Sequence, residues 1–107
     1  MPGSNGNPPE HLRRLERTLE LRRRLGWEWG QAHCHHSLGQ IAAERGDFGA
    51  AQAHFGAAQQ LFEAVNSRGG LLALYTSRAR TLLYQGQPAE ALPWLTKALP
   101  LALKGKR

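Results

Sequence analysis

Apolar residues recur along this chain at spacings of three and four, the repeat of one helix face, and nowhere do they alternate with period two as in a half-buried strand. Leu12, Leu15, Leu19, Leu21 and Leu25 form the first stripe, with Asn7 and Pro8 as its start signal and Gly26 as its stop. A second helix is expected from Trp27 or Glu28 to Arg45, carrying Ala32, His35, Leu38, Gly39 and Ala42, with Gly46 ending it. Asp47 is a good N-cap for a third, which runs through Phe48, Ala51, Phe55, Ala58, Leu61 and Phe62 until the turn Asn66-Ser67-Arg68-Gly69-Gly70. A fourth follows from about Leu71 to Gln85 and closes at Gly86, and Pro88 opens a fifth towards Leu103. Pro93 and Pro100 fall inside that last helix, where each removes a backbone donor and should bend or fray it.

The stripes repeat. Gly46, Ala51, Phe55 and Ala58 are answered forty positions later by Gly86, Ala91, Leu95 and Ala98, and Gly30 is answered by Gly70. Self-similarity at such a period marks units that cannot bury their apolar face alone and must stack on a neighbour. Small residues at Gly39, Ala51 and Ala58, and at Ala79, Ala91 and Ala98, let two antiparallel helices approach closely.

This pattern resembles the tetratricopeptide repeat, a helix-turn-helix unit with an aromatic and Leu-Gly on its first helix and Ala, Phe, Ala on its second. The first full unit reads His35, Leu38-Gly39, Ala42, Gly46, Ala51, Phe55 and Ala58; the second reads Tyr75, Arg78-Ala79, Leu82, Gly86, Ala91, Leu95 and Ala98. His35 and Ala42 stand where aromatics are usual, and Arg78 replaces the leucine. The resemblance implies an all-α fold of antiparallel helix pairs stacked as a short right-handed solenoid of about five helices. Its unit of 40 residues exceeds the commoner 34, and the extra length between Ala58 and Tyr75 implies a longer second helix and a larger turn. Residues 1–9 then read as a disordered N-terminal segment and 10–103 as the repeat domain, followed by a basic tail over 104–107. Within the domain, 10–25 form a half unit, 28–65 the first full unit and 70–103 the second.

With 107 residues the chain has room for one small domain, and 41% hydrophobic with 21% charged residues is the composition of a globular protein. One cysteine, Cys34, excludes an internal disulfide and makes a cytoplasmic, reducing compartment the expectation. No run of apolar residues is long enough to span a membrane, so no membrane insertion is expected. The formal charge is +6, concentrated in a basic patch of Arg13, Arg14, Arg17, Arg22, Arg23 and Arg24 with Lys104, Lys106 and Arg107 at the other end. That excess favours acidic partners and supplies the alternative function, binding of nucleic acid or an anionic surface.

The resemblance implies a protein or peptide partner bound in the groove formed by the first helix of each unit. Carried onto this chain, the groove positions are His33, His36, Gln40 and Glu44, then Ala73, Thr76, Arg80 and Tyr84. A carboxylate near Arg80 and an apolar residue against Tyr84 describe the expected ligand. The paired lysine and asparagine with which the family clamps C-terminal carboxylates are absent, since Ser37 and Ser77 occupy the asparagine positions. The run His33-Cys34-His35-His36 puts only His33 and His36 on one face, so no metal site and no cofactor is expected, and Cys34 reads as a small buried hydrophobe. Trp27 and Trp29 are placed in a loop between units. Scattered acids, with no activated nucleophile and no phosphate-cradling loop, point away from an enzyme. Uncapped ends would expose Leu12, Leu15 and Leu19 on one side and Trp94, Leu95, Leu99 and Leu101 on the other, predicting self-association into a homo-oligomer or a larger assembly.

Overall fold

The computed structural model describes residues 10–104, and the expectations for 1–9 and for 105–107 of the basic tail lie outside them. Four helices follow one another: α1 (Glu10–Glu44), α2 (Phe48–Ala64), α3 (Arg68–Tyr84) and α4 (Pro88–Lys104). Each packs on the next, and α1 also touches α3.

Three links of the same length join them, centred on Gly46 (φ 80°), Asn66 (φ 54°) and Gly86 (φ 76°). At each, the left-handed residue turns the chain so that the amide after it reaches back to close the preceding helix. Asp47 donates to the Ala42 carbonyl at 2.9 Å, Ser67 to Phe62 at 2.9 Å and Gln87 to Leu82 at 2.9 Å. Asp47 then accepts from the Ala50 amide at 3.2 Å, and Ser67 accepts from Gly70 at 3.1 Å, which starts the next helix.

The turns therefore keep a beat of twenty residues, and the forty-residue echo is two identical steps. The larger turn expected after Ala58 is not there: the helices of the unit are 17 residues each, and they absorb the extra length. Gly69 and Gly70 lie inside α3, because Ser67 caps the helix ahead of them. Gly70 is held there by packing, since a Cβ at this position would strike the ring of Phe62.

The main correction concerns α1. Its 35 residues run straight through Gly26, which ends no helix, so the separate half unit expected over 10–25 is continuous with the helix that follows. Trp27 and Trp29 consequently sit within a helix and not in a loop. The buried residues of α1 begin only at Ala32, and every residue from Glu10 to Trp27 is exposed. At about 1.5 Å per residue α1 is roughly 52 Å long against about 25 Å for its neighbours, and the molecule extends over 72 × 34 × 15 Å.

Ala32, Ala51, Phe55, Ala58, Phe62 and Leu74 form the main core. Gly39 belongs to it as a close approach, because an added Cβ would lie 2.5 Å from the Phe55 ring. Ala79, Leu82 and Ala91 form a second, smaller cluster against Trp94. Pro93 and Pro100 sit within the continuous α4 on exposed positions, where the missing donors face solvent.

Candidate functional site: the cleft between α1 and α3

Because α1 and α3 stand side by side over α2, residues at helical spacing on each converge on a small cleft of about 100 Å³. Gln40, Ala43 and Glu44 line it from α1; Ser77, Arg80, Thr81 and Tyr84 line it from α3. Its floor is a hydrogen-bond chain. Gln40 Nε2 donates to Ser77 Oγ at 3.4 Å, leaving the Ser77 hydrogen for His36 Nε2 at 2.8 Å. Thr81 completes it by donating to the Ser77 carbonyl at 2.9 Å. Burial, then the charges of His33 and Arg80, hold the His36 imidazole below its ordinary range, which agrees with a neutral ring accepting from Ser77.

Above this floor the rim is charged and open. Arg80 and Tyr84 are exposed, Tyr84 by 70%, and among the described residues the Arg80 guanidinium has no ion-pair partner. A guanidinium and an exposed phenol ring lining one cleft suit a carboxylate with a neighbouring apolar side chain.

Of the groove positions expected from sequence, Gln40, Glu44, Arg80 and Tyr84 share this cleft and His36 lies beneath it. His33 does not line it; its ring meets Trp29 edge-on at 4.1 Å and Phe62 at 5.0 Å. Thr76 faces an apolar hollow between α3 and α4, lined also by Leu72, Leu92, Leu95 and Leu99. Ser77, at the place of the family's clamp asparagine, also lines the cleft, and Thr81, which the sequence pattern did not single out, joins it; 77, 80, 81 and 84 have the spacing of one helix face.

The three histidines of the His33-Cys34-His35-His36 run point apart, His35 to His54 (Nδ1 to Nδ1, 3.1 Å) and His36 to Ser77. Cys34 is exposed and not buried, because it lines an open hollow on a face of α1 that no described helix covers. Arg14 and Arg17 approach Glu10 at 3.6 and 3.9 Å, Arg23 approaches Glu20 at 3.4 Å, and Arg24 approaches Glu28 at 3.2 Å. Much of the basic patch is thus balanced along its own helix.

At the far end, Leu95 and Leu99 are exposed and Leu101 is half-buried, but Trp94 is not an open surface. It packs on Tyr75 at 5.8 Å and lies between the cations of Arg78 (4.1 Å) and Lys97 (4.5 Å). The same Arg78 donates to Gln52 at 3.2 Å and Gln59 at 3.0 Å, so it joins α2, α3 and α4. This is why an arginine can hold the place of the expected leucine: its stem packs while its head is satisfied by two amides and a ring.

The pairs His35–His54 and Tyr75–Trp94 occupy equivalent places forty residues apart, so the repeat is structural as well as sequential. A protein-family model, described as a tetratricopeptide repeat, matches residues 30–104. The chain belongs to this family. The match spans the two helix pairs of the tetratricopeptide fold and begins beyond Gly26, leaving the first half of α1 outside it. No curated protein and no solved structure matches the chain. Tetratricopeptide repeats generally serve as protein-interaction modules, and no described helix is long and apolar enough to cross a membrane.

Proposed function

We propose that this tetratricopeptide chain is an interaction module that binds a peptide or partner helix across the α1–α3 cleft, as a scaffold component able to self-associate. The observation that carries this reading is that Gln40, Glu44, Arg80 and Tyr84, from two helices forty residues out of step, line one cleft. Arg80 takes a carboxylate of the ligand, Tyr84 an adjoining apolar side chain, and Gln40 and Glu44 read backbone or basic groups opposite. Such chemistry is binding without catalysis, and a single cysteine suits a cytoplasmic setting.

Selection of a random peptide library on the folded protein tests it. Sequences pairing Asp or Glu with an aliphatic or aromatic residue should be enriched, and their affinity should fall about tenfold or more on Arg80→Ala or Tyr84→Ala. Ligands that bind both variants unchanged would place recognition elsewhere. If an oligonucleotide binds instead, with affinity collapsing between 50 and 200 mM salt as phosphate contacts require, the arginines of α1 carry the function.

A further inference from the structure

The first half of α1 displays Leu12, Leu15 and Leu19 to solvent on one face, with Leu21 and Leu25 also exposed. The second half carries an open apolar hollow of about 460 Å³, lined by Trp27, Gly30, Cys34 and Leu38 among others. Forty residues on from Gly30, Cys34 and Leu38, the same positions of α3 are Gly70, Leu74 and Arg78, and there α2 covers them. The hollow is therefore the covered face of α3 without its covering helix.

The chain contains that helix. Forty residues before the α2 positions that meet α3 lie Leu12 (for Gln52), Leu19 (for Gln59) and Arg22 (for Phe62), and Leu15 stands for the buried core residue Phe55. The substitutions match on both sides. Where α2 offers two glutamines to Arg78, the arm offers two leucines to Leu38, so a polar trio is replaced as a set by an apolar one. Arg22 would lie over Gly30, where an added Cβ meets nothing within 4 Å and an arginine stem fits with its head in water.

In its own protomer the arm cannot reach. With α1 continuous, Leu12 and Leu38 are about 39 Å apart along the axis. We propose that the occupant is a second copy: two chains dimerise by laying their α1 helices antiparallel, each arm filling the partner's hollow. The register supports this. Phe62 lies on Gly70, so the arm's residue 22 falls on the partner's Gly30; moving inward by equal steps along both helices brings Gly26 opposite Gly26 of the partner subunit. The two-fold axis then passes where neither helix has a side chain, and one isologous contact buries both arms and both hollows. This rests on the self-association in the reading above and is independent of the peptide cleft.

Thr18 corresponds to Ala58 and Cys34 to Leu74, which belong to one buried cluster and are paired by the register that puts Phe62 on Gly70, so Thr18→Cys should form a disulfide with the partner's Cys34. Within one continuous α1 these positions are about 24 Å apart, far beyond disulfide reach. Oxidation should give a covalent dimer on a non-reducing gel, while the wild type and Thr18→Cys/Cys34→Ser should not cross-link. A fast-migrating monomer with an internal disulfide would overturn the exchange in favour of an arm folded back at Gly26. Cross-linking of the wild type through Cys34 alone, or none in any variant, would also overturn it. Sedimentation separates this from self-association as such: a dimer in which Thr18→Cys fails to cross-link keeps the latter and loses the former. Leu38→Arg should weaken the dimer at least tenfold, and adding Leu12→Gln and Leu19→Gln, which rebuilds the Arg78 trio, should restore it. A dimer indifferent to Leu38→Arg overturns the proposal.

Discussion

Gly30 and Gly70 are the same residue at the same place in the repeat, and the structure treats them oppositely. An added methyl at Gly30 meets nothing, whereas at Gly70 it meets the buried Phe62 ring. Gly30→Ala should therefore stabilise the protomer by up to about 1 kcal/mol, the ordinary helix gain. Gly70→Ala should cost about 1–3 kcal/mol, because overpacking exceeds that gain; urea unfolding of the two variants side by side measures the contrast. His36 gives the residue scale its pH dependence. Its folded imidazole is held below the ordinary value of 6.5, so the unfolded chain binds its proton first as pH falls. Stability should be full above about pH 6.5 and decline below it until the folded ring also titrates, and His36→Gln should flatten this part of the curve in pH-dependent thermal melts.

α2 and α3 each begin on a side-chain hydrogen bond, of which the sequence announced the one at Asp47 and hid the one at Ser67 inside an expected turn. Asp47 before Phe48 and Ser67 before Arg68 satisfy amides that a helix start leaves open. Asp47→Ala should lower stability by about 1 kcal/mol, and Asp47→Ser should recover most of it, as read from denaturation midpoints. Between helices, Arg78 is the joint. Replacing it with alanine strips the partners from Gln52 and Gln59 and uncovers the Trp94 ring, and should cost about 1–3 kcal/mol. Arg78→Lys should not rescue it, since an ammonium lacks the planar fork that reaches two amides while lying on an indole. Near-ultraviolet circular dichroism of Trp94 would follow the loss of stacking.

At the scale of the whole molecule there are two regimes: a packed pair of helix pairs, and an arm, residues 10–27, that stays exposed among the described residues. Amides of residues 10–25 should exchange quickly at low concentration and become protected as the protein is concentrated, while those of α2 and α3 stay slow throughout; hydrogen exchange against concentration reads this directly. Much of the packed part was legible in the sequence. Gly46, Gly86, Asp47 and Pro88 are local signals, and local backbone preference suffices to place turns and caps. The class and the repeat followed from helical periodicity, which is also local, whereas the groove positions Gln40, Glu44, Arg80 and Tyr84 came from the resemblance to the tetratricopeptide unit.

What periodicity cannot say is what a face packs against. Gly26 stands one beat before Gly46 and carries the same turn signal, yet α1 runs through it as helix. Asn66 is no glycine and yet takes the left-handed turn, with Phe62 on one side of it packed against Gly70 on the other. What each face meets also exposed Cys34, covered Trp94, turned His33 towards its aromatic neighbours and sent Thr76 to the other side of α3. The sequence by itself determined the all-helical class, the forty-residue repeat and the turns at Gly46 and Gly86, since these depend on neighbours within a few positions and on a pattern that recurs. Tertiary structure decided which faces meet and whether a turn signal is used, since those depend on contacts between helices, up to the pairing of His36 with Ser77 across α1 and α3.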